Sequence, residues 1–169
     1  MAEKKVPLTR SQMMARIRSG DTKPEMFVRK GLHAAGLRFR LHVRKLPGSP
    51  DIVLPKYKSV IFVHGCFWHG HIGCNNFKLP KTRADFWATK IEGNCERDRR
   101  SKEALLQAGW RVLVIWECAT RILETEKLVG AVTAWLSGAE GFAELSSTGL
   151  LEDSDTATLT CAHGERLDK

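Results

Sequence analysis

Cys66, His71 and Cys74 stand at the spacing Cys-x4-His-x2-Cys, and Cys118 follows much later, directly after the β-rich run RVLVIWE. Thiolates and imidazole are the ligands zinc prefers, and a closed tetrahedral site needs four of them. These four make a Cys3His set, and the long interval before Cys118 would let one ion pin a loop to the body of the fold. Cysteines are also common as small core residues. The segment GCFWHGHIGCNNFKLP, however, holds so much Gly, His and Asn that it offers little core to bury them in. Cys95 and Cys161 have no matching partners and read as a core or helix-face residue and a tail residue. The odd total of five argues against a disulfide framework.

A second chemistry is carried by oxygen and imidazole. Asp51 follows Pro50 at the head of the apolar run DIVL, the next run ends at His64, and His69 comes shortly after. Hydrolysing a phosphodiester means neutralising charge on the phosphate, activating a water and stabilising the leaving oxygen. A carboxylate-held magnesium ion with a nearby general base supplies all three.

The elements that must position these residues can be read from pattern and punctuation. Ser11 is placed to cap a short helix through Met13, Met14 and Ile17. Thr22 is placed to cap a second helix that begins at Pro24 and runs to Gly36. The alternation in RFRLHV (38–43), the turn KLPGSP, and the runs at 51–54 and 60–64 predict a three-stranded meander. The ligand-rich loop then spans about 65–82. Helical signals resume at Thr82 or Arg83, with a break expected at Gly93, and stop at Gly109 before a buried strand over 111–117. A last helix covers roughly Thr125 to Leu136. The order predicts an α/β fold in a single domain, with a central mixed sheet flanked by helices. The domain is expected over residues 1–136, and residues 137–169 read as an acidic, flexible tail.

Charge gives a further constraint. The net charge is +8, yet residues 137–169 hold seven acids against two bases, which leaves 25 basic and 12 acidic side chains in the preceding 136 residues. A body that basic favours a polyanionic partner, because clustered Lys and Arg release counterions from phosphates. No run of about 20 apolar residues exists to span a bilayer. The start MAEKKVPLTR lacks the apolar stretch of a signal peptide, so a cytoplasmic protein is expected.

Taken in order, PGSPDIVLP, VIFVHGCFWHGHIGC, DFWATKI, ERDRR and GWRVLVIWEC resemble the motifs of the very-short-patch-repair (Vsr) DNA mismatch endonucleases, with likeness extending from about Arg10 to Trp135. The Pro-Asp of the hairpin also resembles the PD-(D/E)xK nuclease superfamily, although VHG stands where an acid and a lysine would be expected. The resemblance implies a restriction-endonuclease-like fold and a magnesium-dependent nick 5' to the thymine of a T·G mismatch, beginning repair of deaminated 5-methylcytosine. It makes Asp51 the magnesium carboxylate, with the backbone carbonyl of Val63 as a further ligand. His69, supported by Glu25, would handle proton transfer. His64 would contact the phosphate or the water beside it, with Asp98 orienting it. Zinc would be held by Cys66, His71, Cys74 and Cys118. Phe67, Trp68 and Trp87 would insert into the duplex, while Arg10, Arg16 and Arg18 would contact phosphates. Trp110, Trp116 and Trp135 read as core, and His33 and His42 as surface or strand residues.

The implied setting is bacterial, cytoplasmic and nucleoid-associated, with a MutL-type mismatch-repair protein as partner. A monomer suits the asymmetry of a single T·G pair. Two departures stand out: Ile72 and Gly73 replace part of a more His-rich loop, and the acidic extension has no counterpart in the family pattern. Two other readings fit part of the same features. A zinc-stabilised, non-catalytic binder of distorted duplex would keep the basic body and the aromatic wedge. A restriction-type nuclease on the same fold would cut both strands of matched DNA.

Overall fold

Thr22 opens the first helix of the computed structural model, which describes residues 20–152. Its hydroxyl accepts the Glu25 amide (3.4 Å), and the Glu25 carboxylate returns to the Thr22 hydroxyl (2.9 Å) and the Asp21 amide (3.1 Å). This is a variant of the reciprocal capping box. Helix α1 (Lys23–Ala34) buries Val28 and Leu32, one turn apart. It closes through Gly36 N–H to the His33 carbonyl and Leu37 N–H to the Leu32 carbonyl, with Gly36 at φ 81°. That pair of bonds around a left-handed glycine is the Schellman closure.

Strands β1 (Arg40–Leu41), β2 (Ile52–Leu54) and β3 (Ser59–His64) form the expected antiparallel meander. Strand β4 (Arg111–Trp116) pairs parallel to β3, β5 (Phe142–Ser146) parallel to β4, and β6 (Gly149–Glu152) antiparallel to β5. The result is a mixed six-stranded sheet in the order β1-β2-β3-β4-β5-β6. Parallel neighbours need a crossover. The first is the loop after β3 with helix α2 (Ala84–Gln107), and the second is α3 (Glu117–Ile122) with α4 (Thr125–Ser137).

The period-2 alternation of the strands divides the core. On one face Ile52, Leu54, Ile61, Leu113, Ile115 and Leu145 pack against helices α1, α3 and α4, with Trp135 the largest fully buried side chain. On the other face Val53, Val60, Val112, Val114 and Trp116 pack with Leu105 of α2 and with Cys66 and Cys118. Strand β4 is buried on both faces, which explains its nearly continuous apolar run.

Three expectations give way here. Helix α2 runs unbroken through Gly93, because one glycine costs a helix only about 1 kcal/mol relative to alanine and the turns on either side carry it. The strand expected over 38–43 shrinks to Arg40–Leu41, since His42 takes a left-handed φ of 46°. Residues 138–152, expected as part of the tail, belong to the fold: β5 buries Phe142, Ala143 and Leu145 beside β4, and β6 covers its outer edge, while the rest of the expected tail, 153–169, lies outside the described residues. Strand β5, FAELS, is buried along nearly its whole length with Glu144 as its one acid, a short apolar run that the acidic balance of the segment had masked. The helix proposed at Ser11, the three arginines Arg10, Arg16 and Arg18, and Cys161 lie outside the described residues. No helix among the described residues is long and apolar enough to cross a membrane.

Candidate active site and metal centre

Asp51 immediately precedes β2, and the antiparallel pairing of β2 with β3 brings it beside the carboxyl end of β3. Its Oδ2 accepts the Val63 amide at 2.7 Å. Burial, above all, raises its pKa to about 6, and the nearby Glu25 carboxylate adds to the rise while the Val63 amide opposes it. A carboxyl held so close to neutrality without a cation is one that a metal ion would stabilise in its charged form.

His64 ends β3, and His69 lies in the loop that follows. Their rings stack at 3.8 Å and 7°. Burial pushes the pKa of His64 down to about 3, and the neighbouring His69 adds to it, so this ring is neutral. His69 Nδ1 is 2.6 Å from Asp98 Oδ2, one face of α2 supplying the carboxylate. Asp98 lies near His64 as expected, their ligand atoms within 4.8 Å, but it is Asp98 and not Glu25 that bonds His69. Glu25 binds Arg29 Nη2 at 2.6 Å. Glu25, Asp51, His64, His69 and Asp98 line one cleft of about 1800 Å³, and Val63 lines it too.

The metal-ligand set is assembled by strand register. His64 pairs with Trp116 across the parallel β3–β4 ladder, so the residues two further on, Cys66 and Cys118, emerge side by side. His71 and Cys74 fold back from the loop, with His71 N–H bonded to the Cys66 carbonyl at 3.0 Å. The four ligand atoms lie within 4.8 Å of one another, and Cys66 and Cys118 are buried. Burial pushes the Cys66 thiol up to about 12, with Cys118 and Cys74 adding to the rise. Burial also lowers the pKa of His71, which keeps it in the neutral, ligating form. Three adjacent thiols that cannot ionise together without a cation, beside a neutral imidazole, are a donor set that fits a metal ion.

The two centres share a row of rings. His71 lies flat on Trp116 at 4.2 Å, and Trp116 meets His64 edge-on at 5.5 Å. Trp116 Nε1 donates to Glu144 of β5 at 2.8 Å. Glu144, in the segment expected to be tail, thus anchors the ring that supports a metal ligand. Cys95 lies buried on α2 with its sulfur 3.5 Å from the His69 carbonyl, a core position on a helix face as the sequence suggested.

Phe67 and Trp68 sit between Cys66 and His71 and pack edge-on against each other and against Trp87, at 5.2 to 5.9 Å. Trp87 is the base of this cluster at 8% exposure, whereas Phe86, which the sequence reading passed over, is 50% exposed with Arg83 over its ring. The DFW run contained the signal, but helical phase decides which ring faces outward. Arg29 and His42 were also missed. Arg29 was legible only as a partner four residues after Glu25, and nothing in the sequence marked His42.

A basic α/β domain that gathers a buried carboxylate, two stacked imidazoles and a second carboxylate in one cleft, braced by a Cys3His set, has the equipment of a metal-assisted nuclease. The family model described as DNA mismatch endonuclease Vsr matches residues 2–76. The DNA mismatch endonuclease Vsr of Escherichia coli is 43% identical over 153 residues, covering 89% of this chain and 97% of the relative. The type II nicking enzyme V.XorIIP of Xanthomonas oryzae pv. oryzae is 52% identical over 118 residues, 70% of this chain and 86% of the relative. The type II nicking enzyme V.NmeAIP of Neisseria meningitidis is 50% identical over 109 residues, 64% and 77% of the two chains. The chain belongs to the Vsr family of DNA mismatch endonucleases, and it is an endodeoxyribonuclease.

Proposed function

We propose that this endonuclease makes a magnesium-dependent nick in one strand of duplex DNA, 5' to the thymine of a T·G mismatch, and so begins very short patch repair of deaminated 5-methylcytosine. The observation that carries the reading is the convergence of Asp51, His64, His69 and Asp98 on one cleft, directly beside the aromatic cluster. In this reading the sheet is a restriction-endonuclease-like core.

Asp51 and the Val63 carbonyl would hold magnesium, whose charge would offset that of the scissile phosphate. His69, oriented by Asp98, takes or gives the proton at the reacting oxygen. His64, neutral, stacks on His69 and fixes its plane. Glu25 contributes negative charge at the edge of the cleft. Cys66, His71, Cys74 and Cys118 would hold zinc, which would fix the loop that carries both His69 and the rings of Phe67 and Trp68. Phe67 and Trp68 enter the duplex at the mismatch with Trp87 packed behind them as the base of the wedge, and a base–aromatic stack of about 1–3 kcal/mol replaces the stacking lost. A wobble pair is detected this way by its ease of deformation. Arg10, Arg16 and Arg18 contact phosphates. The protein acts as a bacterial, nucleoid-associated monomer with a MutL-type partner.

The test is strand-resolved cleavage of matched C·G and mismatched T·G duplexes with magnesium, using the wild type and Asp51→Ala. A single nick on the T strand that disappears in the variant is expected. Cutting of both strands of the matched duplex would replace this reading with a restriction-type one.

A further inference from the structure

Between Glu25 and Asp51 stand two residues for which hydrolysis, as derived above, has no use. Arg29, one turn after Glu25 on α1, is 6% exposed. Its Nη2 donates to Glu25 Oε2 at 2.6 Å and lies 2.8 Å from His42 Nε2, while Nη1 donates to Asp21 Oδ1. A buried guanidinium is costly unless it is engaged, and this one is engaged at both Nη atoms, though its buried Nε has no hydrogen-bond partner. Asp21, Glu25 and His42 bring ligand atoms within 4.8 Å of each other, as a cation site would. Nη2 is within hydrogen-bond reach of two of them, so the cation there is the protein's own.

The contact with His42 fixes a proton. A guanidinium offers only donors and does not deprotonate. His42 Nε2 must therefore be the acceptor, which leaves the ring proton on Nδ1. Nδ1 is the atom that faces Asp51 Oδ1, at 3.9 Å. The other oxygen of that carboxylate, Oδ2, already accepts the Val63 amide. His42 also keeps a left-handed backbone at φ 46°, a conformation that persists in a non-glycine residue only where the surroundings impose it.

We propose that Arg29 and His42 are positioning residues of the Asp51 centre: Arg29 holds the Glu25 carboxylate and imposes on His42 the tautomer whose Nδ1–H faces Asp51 Oδ1. The pair presents an N–H toward Asp51 Oδ1 while the Val63 amide holds Oδ2, so that both oxygens of the carboxylate have a donor on their side. This rests on the reading of Asp51 as the metal carboxylate.

Long-range proton–nitrogen NMR on the full chain, near neutral pH and without magnesium, reads the tautomer directly, with His42 assigned by its loss in His42→Gln. The wild type should show the proton on Nδ1 and a bare Nε2, and Arg29→Met should lose that signature. Strand-resolved single-turnover nicking of the T·G duplex should be slower by about tenfold or more in Arg29→Met and His42→Gln, as for other groups that orient a metal ligand. The half-saturating duplex concentration should be unchanged, and Arg29→Lys, which keeps a donor, should recover part of the rate. A proton on Nε2 in the wild type overturns the proposal, and so does a folded Arg29→Met that nicks at the wild-type rate. If Arg29→Met does not fold, the wild-type tautomer and the Arg29→Lys rate decide. Nicking that survives Asp51→Ala would instead sink the reading of Asp51 itself, an outcome separate from these.

Discussion

At the scale of single residues, Asp51 shows how a site for a cation weakens the fold that holds it. Its pKa in the folded protein, raised to about 6 chiefly by burial, lies above the ordinary 3.8. Between these values the folded chain binds more protons than the unfolded one, so the stability of the metal-free protein falls as pH rises from about 4 through 6 and stays lowered above that range. Asp51→Asn keeps an oxygen for the Val63 amide and removes the charge. The metal-free variant should be more stable than the wild type at pH 7 by about 2 kcal/mol and of equal stability near pH 3, as read by denaturant melts. Asp98 carries a different burden, since its contact with His69 Nδ1 sets which ring nitrogen faces the cleft. Asp98→Asn should slow nicking by about 10²-fold or more while leaving duplex affinity unchanged, because general acid–base catalysis contributes about 10²–10⁴-fold. A comparable loss of affinity would show that Asp98 acts in binding instead.

The next scale is the loop between β3 and α2, which carries three residues of the Cys3His set, His69 and the rings of Phe67 and Trp68 within nine residues, Cys66 to Cys74. It has no strand or helix of its own, so its shape depends on the Cys3His set and on short backbone bonds such as His69 N–H to the Gly65 carbonyl. Gly70 (φ 63°) allows it to lie against α2, where a Cβ would meet Ile91 at 3.0 Å. Elemental analysis of the purified chain should find one zinc per molecule. Cys118→Ala should lose that zinc, lower Tm by at least about 5 °C and abolish nicking, although Cys118 is remote from the phosphate. Retention of zinc and activity would sink the structural role assigned to the four ligands. Helix α2 offers a contrasting test. A Cβ at Gly93 would meet nothing within 4 Å, so Gly93→Ala should stabilise the chain by about 0.5–1 kcal/mol in thermal melts.

For the whole molecule, the sheet makes the six strands interdependent. Ending the chain at Ser137 would strip β5 and β6 from β4, expose Val112, Leu113, Val114 and Ile115 along an open edge, and remove the Glu144 support of Trp116. Such a truncation is expected to yield aggregated protein without a cooperative melt, since an open apolar edge invites pairing between chains. Leu145→Ala, a milder probe of the same strand, should cost about 2–5 kcal/mol. The excess of basic residues acts at this scale too. Affinity for any duplex should fall by an order of magnitude or more between about 50 and 200 mM salt, linearly on logarithmic axes.

Much of this was legible in the sequence because it rests on local rules. The caps at Thr22 and Gly36, the meander, the glycine before β4 and the Cys-x4-His-x2-Cys spacing follow from backbone geometry and ligand chemistry that a few neighbouring residues specify. The linear order of motifs also pointed to the family. What the sequence left open were decisions made by contacts between distant segments. Register between β3 and β4 decides that Cys118 meets Cys66. The packing of α2 on the loop gives Asp98 to His69 and leaves Glu25 to Arg29. The phase of one long helix turns Phe86 outward and Trp87 inward. His42 carried no signal at all: its partner Arg29 stands on another element and meets it only in the folded chain. Strand β5 was read as tail because the acids spread over 137–169 outweighed its short apolar run, and only pairing with β4 gives that run a place to bury.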